Sequence, residues 1–526
     1  MNIDKMRLKY IHKIWSESTY AITKKVLLFI VALIGLKSEA YDFQQDGICY
    51  NILSDNDLTL EVTFDDRNNS LYQDKISIPQ NVIYDNKTYT ITSIGVSAFT
   101  GCVNLTEVTI PNTVTIIKEN SFSNCRRLSR INIPNSVKYV GPSAFYYCTN
   151  LTTITLSSAI DKINENVFSY CYSLSEINIP SSVTSIERGA FSFCSSLTSI
   201  IVPSSVQQIG DYAFFKCDKL QTVSILASIP GIQNYTFKDC CSLMSINIPE
   251  SVEFIGECAF FGCVGLENIE LPNSVTLIGK EAFSYCEKLL TIHIPNSVKT
   301  INDAAFSFCR KLTSIIIPDS VAFLGNGIFF GCRELTSAML PNTLTIIPPN
   351  TFSGCYSLVD IIIPDSVIAI GEYCFNGCYS LESIKLPPNI RFIRYGAFGD
   401  CPFKEIYCYM IEPATCSSVF TDEILRNGIL YVPKGCKSKY EKIEPWGKFY
   451  NIEEMDFSWL TTIKTNDTTG VYAKDGSIII ENRGVITMIF DMQGRMIYYG
   501  SDNIIPNLKK GFYIVKSGDL SIKVEI

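Results

Sequence analysis

Ala98-Phe99-Thr100-Gly101-Cys102-Val103-Asn104-Leu105 is the stretch on which the reading of the whole chain turns, because near-copies of it return every 23 residues. Phenylalanine stands at 99, 122, 145, 168, 191, 214, 237, 260, 283, 306, 329, 352, 375 and 398 without a gap. A cysteine follows each by three residues, from Cys102 to Cys401. A leucine follows each by six, except after Phe398, where Lys404 stands. A period of this length means stacked copies of one supersecondary unit, none of which can bury its apolar face alone. The expected fold class is therefore a repeat solenoid, which absorbs most of the 526 residues as one body.

Residues 282–304 show the unit in full: A-F-S-Y-C-E-K-L-L-T-I-H-I-P-N-S-V-K-T-I-N-D-A. Phe283, Cys286, Leu289, Ile292, Ile294, Val298 and Ile301 fall on positions that are apolar in almost every copy, and they are the inward side chains of one coil. The segment that runs from Leu to Pro, as at 105–111, alternates apolar and polar residues and is rich in Ile, Val and Thr, which predicts a strand. Pro lacks the N–H needed to extend a ladder and ends that strand in the connected copies, with Ser157 and Leu226 as exceptions. The V-x-x-I-G stretch, as at 206–210, predicts a second short extended segment, and A-F-x-x-C one helical or 3₁₀ turn. Parallel coils about 4.8 Å apart give an array on the order of 65 Å long.

The pattern L-x-x-I-x-I-P-x-x-V-x-x-I-G-x-x-A-F-x-x-C resembles the BspA-like leucine-rich repeat, a bacterial surface-protein variant of the leucine-rich fold. The resemblance spans the array at 96–402. It implies parallel β coils joined by short helical or 3₁₀ turns, and a secreted or cell-surface adhesion protein that recognises host or cell-surface macromolecules through the array.

The flanks divide by composition. Residues 1–40 carry a basic leader ending in Lys24-Lys25, an apolar run from Val26 to Leu36, then Ser38-Glu39-Ala40. That run is too short to span a bilayer and has the layout of a secretory signal cleaved after Ala40, so no transmembrane span is expected in the mature chain. Residues 41–95 break the period and read as an N-terminal cap with a hairpin around Asp85-Asn86. Residues 403–460 read as a C-terminal cap, with Leu430-Tyr431-Val432-Pro433 keeping the strand-then-Pro pattern, and 461–470 as a polar linker. Residues 471–526 read as a small all-β sandwich. Their Asp491-Met492-Gln493-Gly494-Arg495 and Lys510-Gly511-Phe512-Tyr513-Ile514-Val515-Lys516 are similar to the C-terminal sorting domain of type IX secretion, which implies export to the outer cell surface; a plain β-sandwich stands as the alternative.

A net charge of -8 and a pI near 5.2 argue against nucleic acid, since no basic stripe is present to displace counterions from phosphates. The chain has two histidines, His12 and His293, which weighs against His-dependent catalysis and His-rich metal sites. No glycine-rich phosphate loop, G-x-S-x-G or H-E-x-x-H occurs. The outward carboxylates Glu107, Glu176, Glu270 and Asp360 lie several coils apart, farther than a catalytic pair requires. A hydrolase that uses Glu270 or Asp360 is the least favoured reading, and no cofactor, metal or catalytic residue is expected.

Two readings exist for the cysteine column: a disulfide or metal ladder, or small buried thiols that fill the turn and bond weakly to backbone. One cysteine per coil, always three residues after the Phe, favours the second. Cys408, Cys416 and Cys436 lie close in sequence and leave one bridge open in the C-terminal cap.

Recognition belongs on outward side chains, because inward ones are committed to packing. On the concave strand face these stand eight and ten residues after each Phe, and most are short and uncharged. Ile316, Met339 and Ile362 depart from that in three consecutive coils, flanked by His293 and Lys385. Merged into one apolar strip they form a candidate docking patch, against the plainer reading that isoleucine merely suits a strand. A second feature is the aromatic scatter just after the repeated Phe, at Tyr146, Tyr147, Tyr170, Phe193, Phe215, Phe261, Tyr285, Phe308 and Phe330. Packing in the turn is its simpler explanation, adhesion the sharper one. Gly262 and Gly331 follow bulky residues there, which suggests volume compensation. The partner expected is a protein or glycan ligand on host or neighbouring cells, bound by a single monomeric chain; a periplasmic or surface glycan-binding scaffold is the alternative.

Overall fold

A computed structural model of the chain describes residues 41–64, 72–416 and 418–457, and within 471–525 the strand segments only. The signal-peptide reading at 1–40 and the linker at 461–470 lie outside the described residues.

Most repeats make one coil with two short strands; the coil of Phe168 lacks the first strand, and that of Phe352 keeps only an isolated bridge at Ile362. The first strands pair in parallel from coil to coil, as Ser199–Val202 does with Thr222–Ile225 and that strand with Ser245–Ile246. The second strands form their own parallel ladder, running for example through Gly231–Ile232, Phe254–Ile255, Leu277–Ile278, Thr300–Ile301 and Phe323–Leu324. All register partners named here stand 23 residues apart, so equivalent side chains of neighbouring coils lie side by side.

The turn expected as one helical or 3₁₀ turn does close i→i−3 hydrogen bonds, from Ser192 N–H to Gly189 and from Cys194 N–H to Phe191, but only at alternate residues. Between them the N–H groups of Gly189, Phe191 and Phe193 donate to Asp211, Ala213 and Phe215 of the next coil. No continuous helix forms, because half of its amides are committed across the stack. The turn is thus a third line of inter-coil hydrogen bonds.

Inside, the fourteen phenylalanines are fully buried and form one ring stack. Phe99 and Phe122 lie 5.0 Å apart with planes 3° from parallel, and Phe283 and Phe306 lie 5.5 Å apart at 2°. Each fully buried Phe contributes roughly 1.5–3 kcal/mol by burial alone. The stack needs ends, since a terminal coil would expose its apolar face. Tyr72 meets Phe99 at the start, its hydroxyl donating to Thr63 O at 2.7 Å and accepting from Cys49 N–H at 3.0 Å. Phe420 closes the other end on Phe398 and is itself met edge-on by buried Trp446.

At the N-terminal end β1 (Phe43–Gln45), β2 (Ile48–Ser54) and β3 (Thr59–Thr63) are antiparallel. β4 (Asp74–Ser77) already pairs in parallel with the first repeat strand, Leu105–Thr109. β5 (Asn81–Tyr84) and β6 (Lys87–Ile94) make a hairpin about Asp85 and Asn86, both at positive φ, as a two-residue turn of this kind requires. β6 then pairs with β3 on one side and Ile116–Ile117 on the other, joining cap to array.

After Phe398 the sequence period lapses, but the parallel ladder continues through Glu405–Cys408, Ile429–Pro433 and Asn451–Met455. A short helix, Asp422–Asn427, is capped by Thr421, whose side chain accepts from Ile424 N–H. In the C-terminal module the described residues form two small antiparallel sheets: Val471–Lys474, Ser477–Ile480 and Ile504–Ile505 in one, and Thr487–Asp491, Met496–Gly500, Phe512–Ser517 and Leu520–Glu525 in the other. The Gln-Gly turn of its sorting-like motif, at 492–495, lies outside the described residues.

Candidate partner-binding face

Alternation along each first strand sends one set of side chains into the core and the other out. In Ser337–Met339 the central Ala338 is buried at 4% exposure, while Ser337 and Met339 on either side are half-buried. Ile315, Ile361 and Ile384 are buried in the same way. The outward set is therefore available to a partner.

The structure brings three of the five sequence-derived candidates together. Ile316 pairs with Met339 in the ladder, and Met339 makes a further parallel bridge to Ile362. Ile316 and Met339 are half-buried and Ile362 is 41% exposed. Lys385 is exposed and heads a second ladder, paired with Tyr407. His293 is exposed one coil before Ile316, just past the strand Thr291–Ile292, and no ladder pair joins it to the strip.

Two residues of this face were not picked out from the sequence. Tyr407 pairs with Lys385, Tyr431 pairs with Tyr407, and the two rings stack at 4.8 Å with planes 13° apart. The steps are 22 and 24 residues instead of 23, so a fixed-period reading passes over them. The usable signal was the strand-then-Pro pattern around Tyr431. The Tyr407 hydroxyl donates to Glu405 Oε2 at 2.9 Å; burial, and then that bond, push its pKa up to about 12.

Other outward positions are already used. The Asn247 side chain donates to Ile225 O at 2.8 Å and accepts from Ile225 N–H at 2.7 Å, splicing itself into the ladder. Glu107 pairs with Lys75 at 2.9 Å, and the hydrogen bond from that ammonium holds its carboxyl below the usual range. Glu270 and Asp360 are exposed on separate coils. Among the described residues no group of three His, Cys, Asp or Glu is placed to hold a metal ion, and no helix is long and apolar enough to cross a membrane.

The cysteines take the packing role. From Cys125 to Cys401 each column thiol donates to the carbonyl of the Phe 26 residues earlier, as Cys125 does to Phe99 at 3.1 Å and Cys378 to Phe352 at 3.3 Å. Cys408, Cys416 and Cys436 form no disulfide, so the bridge left open in the cap does not form. Burial pushes the Cys148 thiol up to about 12, where it neither ligates nor reacts readily.

A parallel solenoid with leucine-led strands, a buried aromatic stack and an accessible strand face defines a leucine-rich-repeat scaffold. The family described as the BspA type leucine rich repeat region matches residues 68–198, 184–313 and 299–415, and the chain belongs to that family. A leucine-rich repeat protein from Bacteroides ovatus, solved as a crystal structure, is 31% identical with a TM-score of 0.62, covering 79% of this chain and 100% of its own. A leucine rich cell surface protein from Faecalibacterium prausnitzii is 26% identical with a TM-score of 0.42, covering 81% and 98%. Among curated proteins no match is found.

Proposed function

We propose that this chain is a secreted, surface-displayed binding protein that holds a macromolecular partner against the strand face of its array. The observation that carries the reading is the continuous outward strip Ile316–Met339–Ile362, apolar where most other coils place Ser, Thr or Asn. Three apolar side chains side by side on an accessible face mark a contact site, whereas a single one such as Ile201 does not. His293 and Lys385 border the strip, and the Tyr407–Tyr431 pair extends it toward the C-terminal end with the aromatic surface favoured at protein interfaces. The partner is a protein on host or neighbouring cells, and the scaffold performs no chemistry on it. The deciding experiment exposes the full-length chain and its Met339→Lys variant to immobilised extracellular-matrix proteins. Saturable binding by the wild type that the variant loses supports the reading; equal binding by both sinks it.

The C-terminal module, by its resemblance to type IX sorting domains, would direct export and surface attachment. Deleting 471–526 should then leave the array inside the cell envelope; if the truncated array still reaches the surface, the module has another role.

A further inference from the structure

Each coil holds two residues of its turn at positive φ, one two residues before the buried Phe and one two residues after. Many coils place glycine, asparagine, serine or aspartate there, as with Gly189, Asn124, Ser143 and Asp239. Five neighbouring coils instead force large rings into this conformation, Tyr147 at φ 60, Tyr170 at 63, Phe193 at 60, Tyr212 at 58 and Tyr235 at 59, as Tyr285, Phe308 and Tyr373 also do farther along. The left-handed region is unfavourable for bulky side chains, and strain of this kind collects where a surface is built for use.

The rings assemble across coils. Tyr170 stacks on Phe193 at 4.2 Å, Tyr212 stacks on Tyr235 at 4.5 Å, and Phe215 stands edge-on to both Phe193 and Tyr212. Tyr146 meets Tyr170 edge-to-face at 5.4 Å. Between them lies a surface cavity of 260 Å³, with the buried Ser169 and Ser192 hydroxyls, 2.6 Å apart, in its lining. The Arg188 guanidinium lies 4.7 Å from the Tyr212 ring centre and 3.5 Å from Asp211, and the Asn166 side chain also lines the cavity. The hydroxyls of Tyr146, Tyr170 and Tyr212 make no hydrogen bond among the described residues.

Aromatic walls next to solvent-facing tyrosine hydroxyls, an amide and a guanidinium suit a ligand that is apolar on one face and a polyol around its rim. A purely apolar ligand would strip water from Arg188 and the tyrosine hydroxyls without replacing the hydrogen bonds, and a chain of net charge -8 offers little to a nucleic acid. A sugar ring satisfies both halves of the lining. We propose that this cavity, on the turn side of the coils and separate from the strand face, binds a single pyranose unit of a glycan. Arg188 is placed to bond either a ring hydroxyl or a sugar carboxylate.

The test titrates the full-length chain with the methyl glycosides of mannose, galactose, glucuronic acid and N-acetylneuraminic acid, read by saturation-transfer NMR. Saturable binding of at least one is expected, weakened about tenfold by Tyr212→Phe and by Arg188→Ala, a loss comparable to one good hydrogen bond. The neutral and acidic sugars show which group Arg188 reads. Both substitutions alter half-exposed or exposed side chains, and thermal unfolding at the wild-type temperature verifies that each variant folds. Met339→Lys, far along the array, should leave sugar binding unchanged whatever it does to a protein partner. The assignment is overturned if none of the four glycosides saturates, if binding survives both cavity substitutions, or if Met339→Lys abolishes it.

Discussion

The Sγ of Cys194 donates to the carbonyl oxygen of Phe168 at 3.2 Å, across one coil boundary and beneath the stacked rings of Phe168 and Phe191. The same bond recurs along the column, so the thiols act as a line of weak rivets between coils. Cys194→Ala removes the donor, leaves a buried carbonyl without it and opens a small void. The expected cost is about 1–2 kcal/mol, measured as a lower denaturant midpoint. A change below a few tenths would mean the thiol only fills space.

Cys241 lies next to the column without belonging to it, and it is the exposed thiol of the 21. Partial burial first, then Asp218 and Asp239 nearby, raise its pKa, so the thiolate is scarcer than in a free cysteine at the same pH. A thiol reagent on the folded chain should modify Cys241 ahead of all others, more slowly than it modifies a model thiol and faster as pH rises. Cys241→Ser should remove that first phase. Rapid modification of many thiols in the native state would contradict the buried column.

The glycine of V-x-x-I-G serves close approach between backbones. A Cβ built on Gly325 would lie 2.4 Å from Asp303 N, and one on Gly371 2.4 Å from Pro349 N. Neither atom can swing away. Gly325→Ala should therefore destabilise the array by about 1–3 kcal/mol although alanine is the better residue in most backbones, and a calorimetric Tm unchanged from wild type would refute the argument.

Ala338 and Met339 are adjacent and face opposite ways. Met339→Lys should leave the melting temperature within about 2 °C, since it changes a half-exposed side chain. Ala338→Asp places an unpaired carboxylate in the core and should cost several kcal/mol or unfold the local coils. Circular dichroism melts of the two variants provide the comparison; similar losses in both would mean that Met339 is part of the core.

Tyr407 should show the alkaline limit of this face. Its folded pKa of about 12 exceeds the ordinary value of 10.0. Stability held by the protonated phenol is therefore complete below about pH 10 and is lost as pH rises through the folded value. Glu405→Gln should lower the Tyr407 pKa in an NMR titration but leave it raised, because burial is the larger cause.

The roles of Gly262 and Gly331 show where pattern reading stops. Volume compensation was expected from their bulky neighbours, yet both sit at positive φ, 71 and 72, where glycine is favoured for its backbone alone. Space matters at Gly331 as well, but through Phe308 of the preceding coil, whose ring a Cβ would meet at 2.8 Å. A residue 23 positions away decides it.

By itself the chain of residues determined the solenoid, the period, the inward Phe, Cys, Ile and Val columns and the outward direction of Ile316, Met339 and Ile362. Those follow from hydrophobic periodicity, which is local and repeats. Only the tertiary structure decided that Met339 bridges Ile316 to Ile362, that Tyr431 stacks on Tyr407 after the period has lapsed, and that Tyr170, Tyr212 and Phe215 enclose a cavity. Adjacency between coils is set by inter-coil hydrogen bonds and by positive-φ turns, and neither leaves a signature in the spacing of apolar residues.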